Sequence, residues 1–329
     1  MNEQKLLRRR AAAFLMTAAL MPVCRCLLAP FMDSGQLLSL LLYVQTGRSV
    51  SAAAGETKPT ETHNFTTPTQ ITQSSQPQQE PEAVLSFSYA DLDLIRIRYN
   101  CDYRPDTQAL LEAPLELSLT GEEPTVLILH SHASESYTGD FDYVEYYRSL
   151  DPEENMLAVG DRVAQVLRAG GITVLHDRTL HDQPDYNSAY SSARAAIQSY
   201  LAEYPTIQIV LDLHRDATAS TGNQLVTAAT VNGQRSAQLM MVVGTDAGGS
   251  YHPDWQENLA LALKLGVLLE QENPGICRPV SLRSSRFNID LSTGSLLVEV
   301  GAAGNTLEEA LIAADALGNA LVQLANGSR

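Results

Sequence analysis

The rhythm of apolar and polar positions changes along this chain. Residues 11–32 are largely apolar, with Arg25 as their one charge, and they follow a basic flank of Lys5, Arg8, Arg9 and Arg10. A second apolar patch, "LLSLLLYV", covers 37–44. Residues 51–83 are rich in Thr, Gln, Pro and Ser with almost no apolar content. Residues 91–99, "DLDLIRIRY", alternate and predict a strand. From Thr125 onward short apolar runs alternate with helical stripes. Strands are predicted at 125–130, 172–177, 207–214 and 294–301, and a hairpin over 223–244 turns at Asn232–Gly233. Helices are predicted at 151–171, 187–204, 254–272 and 305–326. Asp151 is the expected N-cap of the first, and Met156, Val159, Val163 and Val166 form its apolar stripe. Strands alternating with helices of this length imply an α/β domain: a largely parallel sheet flanked by helices, with an antiparallel pair in the middle.

A basic flank before an apolar run is the pattern of a signal anchor, and 1–50 are assigned to an uncleaved one. The positive-inside rule then places the rest of the chain outside the cytoplasm, on a single-pass anchor in the cell membrane. Residues 51–83 cannot bury enough surface to fold and read as a disordered tether. Residues 84–120 form a small N-terminal extension and 121–329 the α/β domain.

At 44% hydrophobic, the 329-residue chain can bury a sizeable core. A net charge of −16 argues against nucleic acid as a partner. Four cysteines are too few for a disulfide scaffold and lack the paired spacing of a Cys-based zinc site. No serine elbow, phosphate loop or dinucleotide fingerprint appears.

Ligand sites in open α/β sheets gather at the carboxyl ends of strands. One strand here ends in His130-Ser131-His132 with Glu135 just beyond, another in Asp212, His214, Arg215 and Asp216, and the last carries Glu299. Two imidazoles and a carboxylate suffice for a hydrolytic zinc site with an open position for water. His132, Glu135 and His214 can supply them, leaving Glu299 to move protons. Strand alternation puts His130 and His132 on the same side, so it does not choose between them. Asp212 reads as a residue that orients a neighbour, and His176 and His181 read as surface. Glu299, between "LLV" and "VG", is a carboxylate in a buried strand and needs a job or a partner.

The segments "SHASESY" (131–137), "DLHRDA" (212–217), "RFNIDL" (286–291) and "LLVEVGAAGNTLEEA" (296–310), in this order, resemble the stage II sporulation protein P family. The resemblance covers roughly 121–326, with the anchor and tether also matching. It implies a fold similar to zinc N-acetylmuramoyl-L-alanine amidases and cleavage of the amide between muramic acid and the stem peptide. It also implies a second, endopeptidase activity on stem-peptide cross-links. The implied role is septal wall remodelling in engulfment, with peptidoglycan, the membrane and stage II sporulation proteins D and M as partners. Residue by residue, it assigns zinc to His132, Glu135 and His214, catalysis to Glu299, and substrate binding to Arg215, Arg286 and Asn288. Related amidases take their carboxylate ligand from the following helix, which keeps Glu153 and Glu154 open as alternatives to Glu135. A catalytically inactive peptidoglycan-binding or scaffold protein of the engulfment complex is the alternative function; the complete His, Glu, His, Glu set argues against it.

Overall fold

The computed structural model describes residues 85–115, 117–138, 147–218 and 224–327. The expected anchor and tether lie outside the described residues. Among the described residues no helix is long and apolar enough to cross a membrane.

A seven-stranded sheet carries the domain. Its strands are β1 (Ile97–Asn100), β2 (Val126–Leu129), β3 (Val174–His176), β4 (Ile209–Asp216), β7 (Leu239–Gly244), β8 (Val280–Arg283) and β9 (Ser295–Ala302). A separate hairpin joins β5 (Ala229–Val231) to β6 (Gln234–Ser236). The sheet order is β1-β8-β7-β9-β4-β2-β3. All neighbours run parallel except β7 and β9, which are antiparallel, so two parallel halves meet at that pair. The sheet is thus largely parallel with an antiparallel pair in the middle. β7 reaches that pairing by joining β9 rather than by extending the hairpin.

The helices are α1 (Thr107–Glu112), α2 (Met156–Ala169), α3 (Ala189–Glu203), α4 (Trp255–Glu272) and α5 (Leu307–Gly327). Alternation along the strands decides which helix covers which face. Val126, Ile128, Ile209, Leu211 and Leu213 join the large core with Val159 and Val163 of α2 and Leu317 and Leu321 of α5. Leu127, Leu129 and Val210 point the other way and pack on Ala193 and Ile197 of α3. α4 is buried on almost every side, down to Lys264, whose Nζ donates to the Leu110 and Leu111 carbonyls at the end of α1.

Three local expectations change. Residues 89–94 form a 3-10 turn, and the strand begins only at Ile97, as an edge strand of the main sheet. α2 starts at Met156 with Asn155 as its cap, accepting from the Leu157 N–H at 2.9 Å; Asp151 instead starts the preceding turn. β8, "VSLR", has no strong sequence signal, being short and flanked by Arg278, Pro279 and a Ser pair.

Candidate active site

β2, β4 and β9 are parallel neighbours, so their carboxyl ends share one edge of the sheet. The register sets His214 of β4 directly beside Glu299 of β9. β2 stops at Leu129, and residues 131–134 turn. That turn is held by two buried aspartates. Asp212 accepts from the Ser131 N–H at 2.7 Å and the Ser131 hydroxyl at 2.6 Å. Asp182 accepts from the Ser134 N–H at 3.2 Å and from the Ser134 hydroxyl. Asp212 therefore orients a neighbour, as its place inside an apolar strand suggested.

The turn separates the two histidines. His130 continues the β2 alternation and points to the α2 face. Its Nδ1–H donates to the Leu213 carbonyl at 2.9 Å, and its Nε2 lies 2.9 Å from His176 Nε2. His176 Nδ1 meets Asp161 at 3.0 Å, and Arg178 pairs with the same carboxylate. α2 can approach this pair only through Gly160, where a Cβ would come within 2.4 Å of His176 Nε2 and 2.5 Å of His130 Nε2. Burial, then the neighbouring His176, pushes the His130 pKa down to about 3. His176 is thus an internal partner and not a surface residue. The same holds for His181, which is 4% exposed and bridges Ser192 and Asp177 at 2.9 Å each.

His132 lies in the turn, beside α3. Its ring stacks on Tyr186 at 4.2 Å and meets Tyr190 edge-on at 5.2 Å and His214 edge-on at 5.5 Å. His214 sits between two carboxylates, with Nδ1 3.5 Å from Glu135 Oε2 and Nε2 2.9 Å from Asp212 Oδ1. The second contact lacks the angle of a hydrogen bond, so His214 Nε2 remains without a partner. Burial disfavours the imidazolium, yet Asp212 and Glu135 together raise the His214 pKa well above its ordinary value. Burial would raise Glu135, but Arg215 and His214 hold it down at about 2. Glu299 is half-buried, and its Oε2 is shielded from solvent with no hydrogen-bond partner. Desolvation raises its carboxyl to about 8.

Three of these residues therefore present an orphaned buried atom: His132 Nδ1, His214 Nε2 and Glu299 Oε2. Such atoms are uncommon and need an explanation. Two unpartnered imidazole nitrogens beside an ionised carboxylate match a zinc ion in donor type. As placed, no group of three His, Cys, Asp or Glu among the described residues closes around one point.

The remaining expected residues fall in different places. Arg215 is structural glue for Glu135: its N–H donates to Glu135 Oε2 at 3.2 Å and its guanidinium donates to the Ser136 and Tyr147 carbonyls. Asn288, in a left-handed conformation, donates to the Tyr190 carbonyl at 2.7 Å. Arg286 lies 3.4 Å from Asp290, which also holds Arg194. Asn288 thus braces the aromatic wall, and Arg286 stands beside it. Glu153 is exposed and Glu154 accepts from Ser149 at 2.8 Å; both lie in the turn before α2. Asp182, Tyr186 and Tyr190 were not legible in the sequence. Their one signal was position, since 177–190 follows the carboxyl end of β3.

Several known proteins are similar to this chain. An N-acetylmuramoyl-L-alanine amidase of Nostoc punctiforme, AmiC2, superposes with a TM-score of 0.39 at 16% identity, over 62% of this chain and 98% of that one. The CwlD amidase of Clostridioides difficile, solved with the GerS lipoprotein, gives 0.39 at 15% identity, over 61% of this chain and 98% of that one. The stage II sporulation protein P of Bacillus subtilis (strain 168) is 29% identical over 214 residues, 60% of this chain. The matched chain spans about half of that relative's length, 50%. The sequence profile described as "Stage II sporulation protein P (SpoIIP)" matches residues 43–322, most of the chain. The chain belongs to the stage II sporulation protein P family.

Proposed function

We propose that this chain is a membrane-anchored, zinc-dependent peptidoglycan hydrolase that cleaves the N-acetylmuramoyl-L-alanine amide outside the cytoplasm. Septal wall remodelling during engulfment is the proposed setting, with stage II sporulation proteins D and M as partners. Stem-peptide endopeptidase activity is proposed as a second reaction at the same site. The observation that supports this most is the meeting of His132, His214 and Glu299 at one sheet edge, each with a buried polar atom left unpartnered.

His132, Glu135 and His214 would hold the metal. Bound zinc would polarise the amide carbonyl and bring the pKa of its water toward ~7. The protein's own groups do the rest. Asp212 and Asp182 fix the turn that carries His132. Arg215 keeps Glu135 ionised and therefore able to bind a cation. Tyr186 and Tyr190 shield His132 from water. Glu299 keeps some exposure, so its carboxyl can reach a substrate, and its raised pKa suits a group that takes a proton from water and returns it to the leaving amine.

The test is muropeptide mass spectrometry after digestion of sacculi with the full-length chain purified in detergent, with and without a zinc chelator. Free stem peptides and glycan strands with intact muramic acid are the expected products, and the chelator should remove them. Sacculi left intact by a folded, zinc-loaded chain would favour the inactive wall-binding alternative.

A further inference from the structure

Arg148 stands beside the candidate site, stacked on one of its aromatic residues. Its guanidinium carbon lies 3.8 Å from the centroid of the Tyr186 ring. The other face of that ring stacks on His132 at 4.2 Å, so the layers run arginine, tyrosine, histidine. The backbone of Arg148 is fixed to the turn that carries His132 and Glu135. Glu135 and Arg148 form an isolated antiparallel bridge. On either side of it the Ser136 N–H donates to the Tyr147 carbonyl and the Ser149 N–H to the Ser134 carbonyl, both at 2.9 Å.

Other arginines near the site already have carboxylates: Arg215 has Glu135 and Arg286 has Asp290. Among the described residues no Asp or Glu lies within ion-pair distance of Arg148, and its buried Nε has no partner. A guanidinium held over a ring offers a rigid fork of donors, which matches a carboxylate.

We infer that Arg148 reads a free carboxylate on the stem peptide and so sets the substrate preference of the site. This rests on the wall-cleaving reaction proposed above. The distances agree with it. A peptide residue spans up to about 3.5 Å, so the carboxylate of the second stem residue lies about 7 Å from the scissile amide. The guanidinium stands two stacking distances beyond His132. That second residue is a glutamate whose carboxylate is free in some walls and amidated in others.

Equilibrium binding to the full-length chain tests the inference independently of turnover. The probes are two muropeptides identical except that the carboxylate of the second stem residue is free in one and amidated in the other. The wild type should bind the free form about tenfold to a hundredfold tighter, the range for a hydrogen bond to a charged group. Arg148→Ala should bind both equally, at the level of the amidated form. Arg148→Lys keeps the charge and loses the fork, so a preference of a few-fold should survive. An Arg148→Ala chain that still prefers the free form, or that loses both equally, overturns the inference, as does a wild type that binds the two alike or binds neither. Cleavage of sacculi by the same preparations reports separately on the reaction itself.

Discussion

His130 and His132 stand on opposite faces of the sheet, and their surroundings differ in kind. Behind the sheet, His130, His176, Asp161 and Arg178 form an unbroken row of contacts from the Leu213 carbonyl to the surface. His181 is likewise bound on both nitrogens. In front, His132 Nδ1 and Glu299 Oε2 are buried without a hydrogen-bond partner, and His214 Nε2 has only its 2.9 Å contact with Asp212. A fold can leave polar atoms unpaired only at a cost of about 1–3 kcal/mol each. The rear cluster is what histidines look like when they serve the fold. The front cluster is less completely paired, as expected of the metal site proposed here. Burial lowers the His176 pKa, and Asp161 pulls against it.

The largest effect that could break this contrast comes from the front. His214→Ala should take zinc content and turnover to background together, read by metal analysis and muropeptide release. If zinc stays at wild-type stoichiometry, His214 is not a ligand. Glu299→Gln keeps shape and loses proton capacity. Turnover should drop about a hundredfold to ten-thousandfold, with zinc retained and the melting temperature no lower. Loss of zinc in that variant would move Glu299 into the ligand set, and full activity would sink the mechanism.

Rear substitutions should act on stability alone. Gly160→Ala drives a Cβ into both rear histidines. It should cost about 1–3 kcal/mol in urea unfolding while zinc per folded chain is unchanged. A fall in zinc stoichiometry would show that the two regions are coupled through Leu213.

Asp177 gives the contrast a pH signature. Burial alone would raise its carboxyl, but hydrogen bonds from His181 and Thr179 outweigh it and hold the pKa at about 2, below the ordinary 3.8. The unfolded chain therefore binds more protons between those values. Stability from this group is present above about pH 4 and lost as the pH falls through 2. It amounts to about 2 kcal/mol at most. Urea unfolding at pH 7 and pH 3 should show Asp177→Asn less stable at pH 7 and less sensitive to acid. An unchanged acid slope would mean that the His181 cluster does not hold its proton balance as described.

The smallest effect belongs to Asp161→Asn. Its carboxylate is half exposed, with 51% of the side chain accessible, and its pair with Arg178 is screened. A loss below about 1 kcal/mol is expected, with turnover unchanged. A drop in turnover with normal stability would turn the rear row into a positioning device for β4.

The alternation of strands and helices, the Asn232–Gly233 turn and the placement of reactive residues at strand ends were all legible in the chain, because they follow from local periodicity and turn chemistry. Glu299 also stood out, as a carboxylate inside an apolar strand. The choice between His130 and His132 was not legible, since alternation treats them alike. The turn at 131–134 parts them, and that turn is held by Asp212 and Asp182, from strands and loops distant in sequence, through its two serines. The placement of β8 beside β7, the burial of His176 and His181, and the Arg148–Tyr186–His132 stack also depend on contacts between distant segments. Local pattern determines which elements form. Only the register between strands determines which atoms are left without partners, and that is where the candidate chemistry lies.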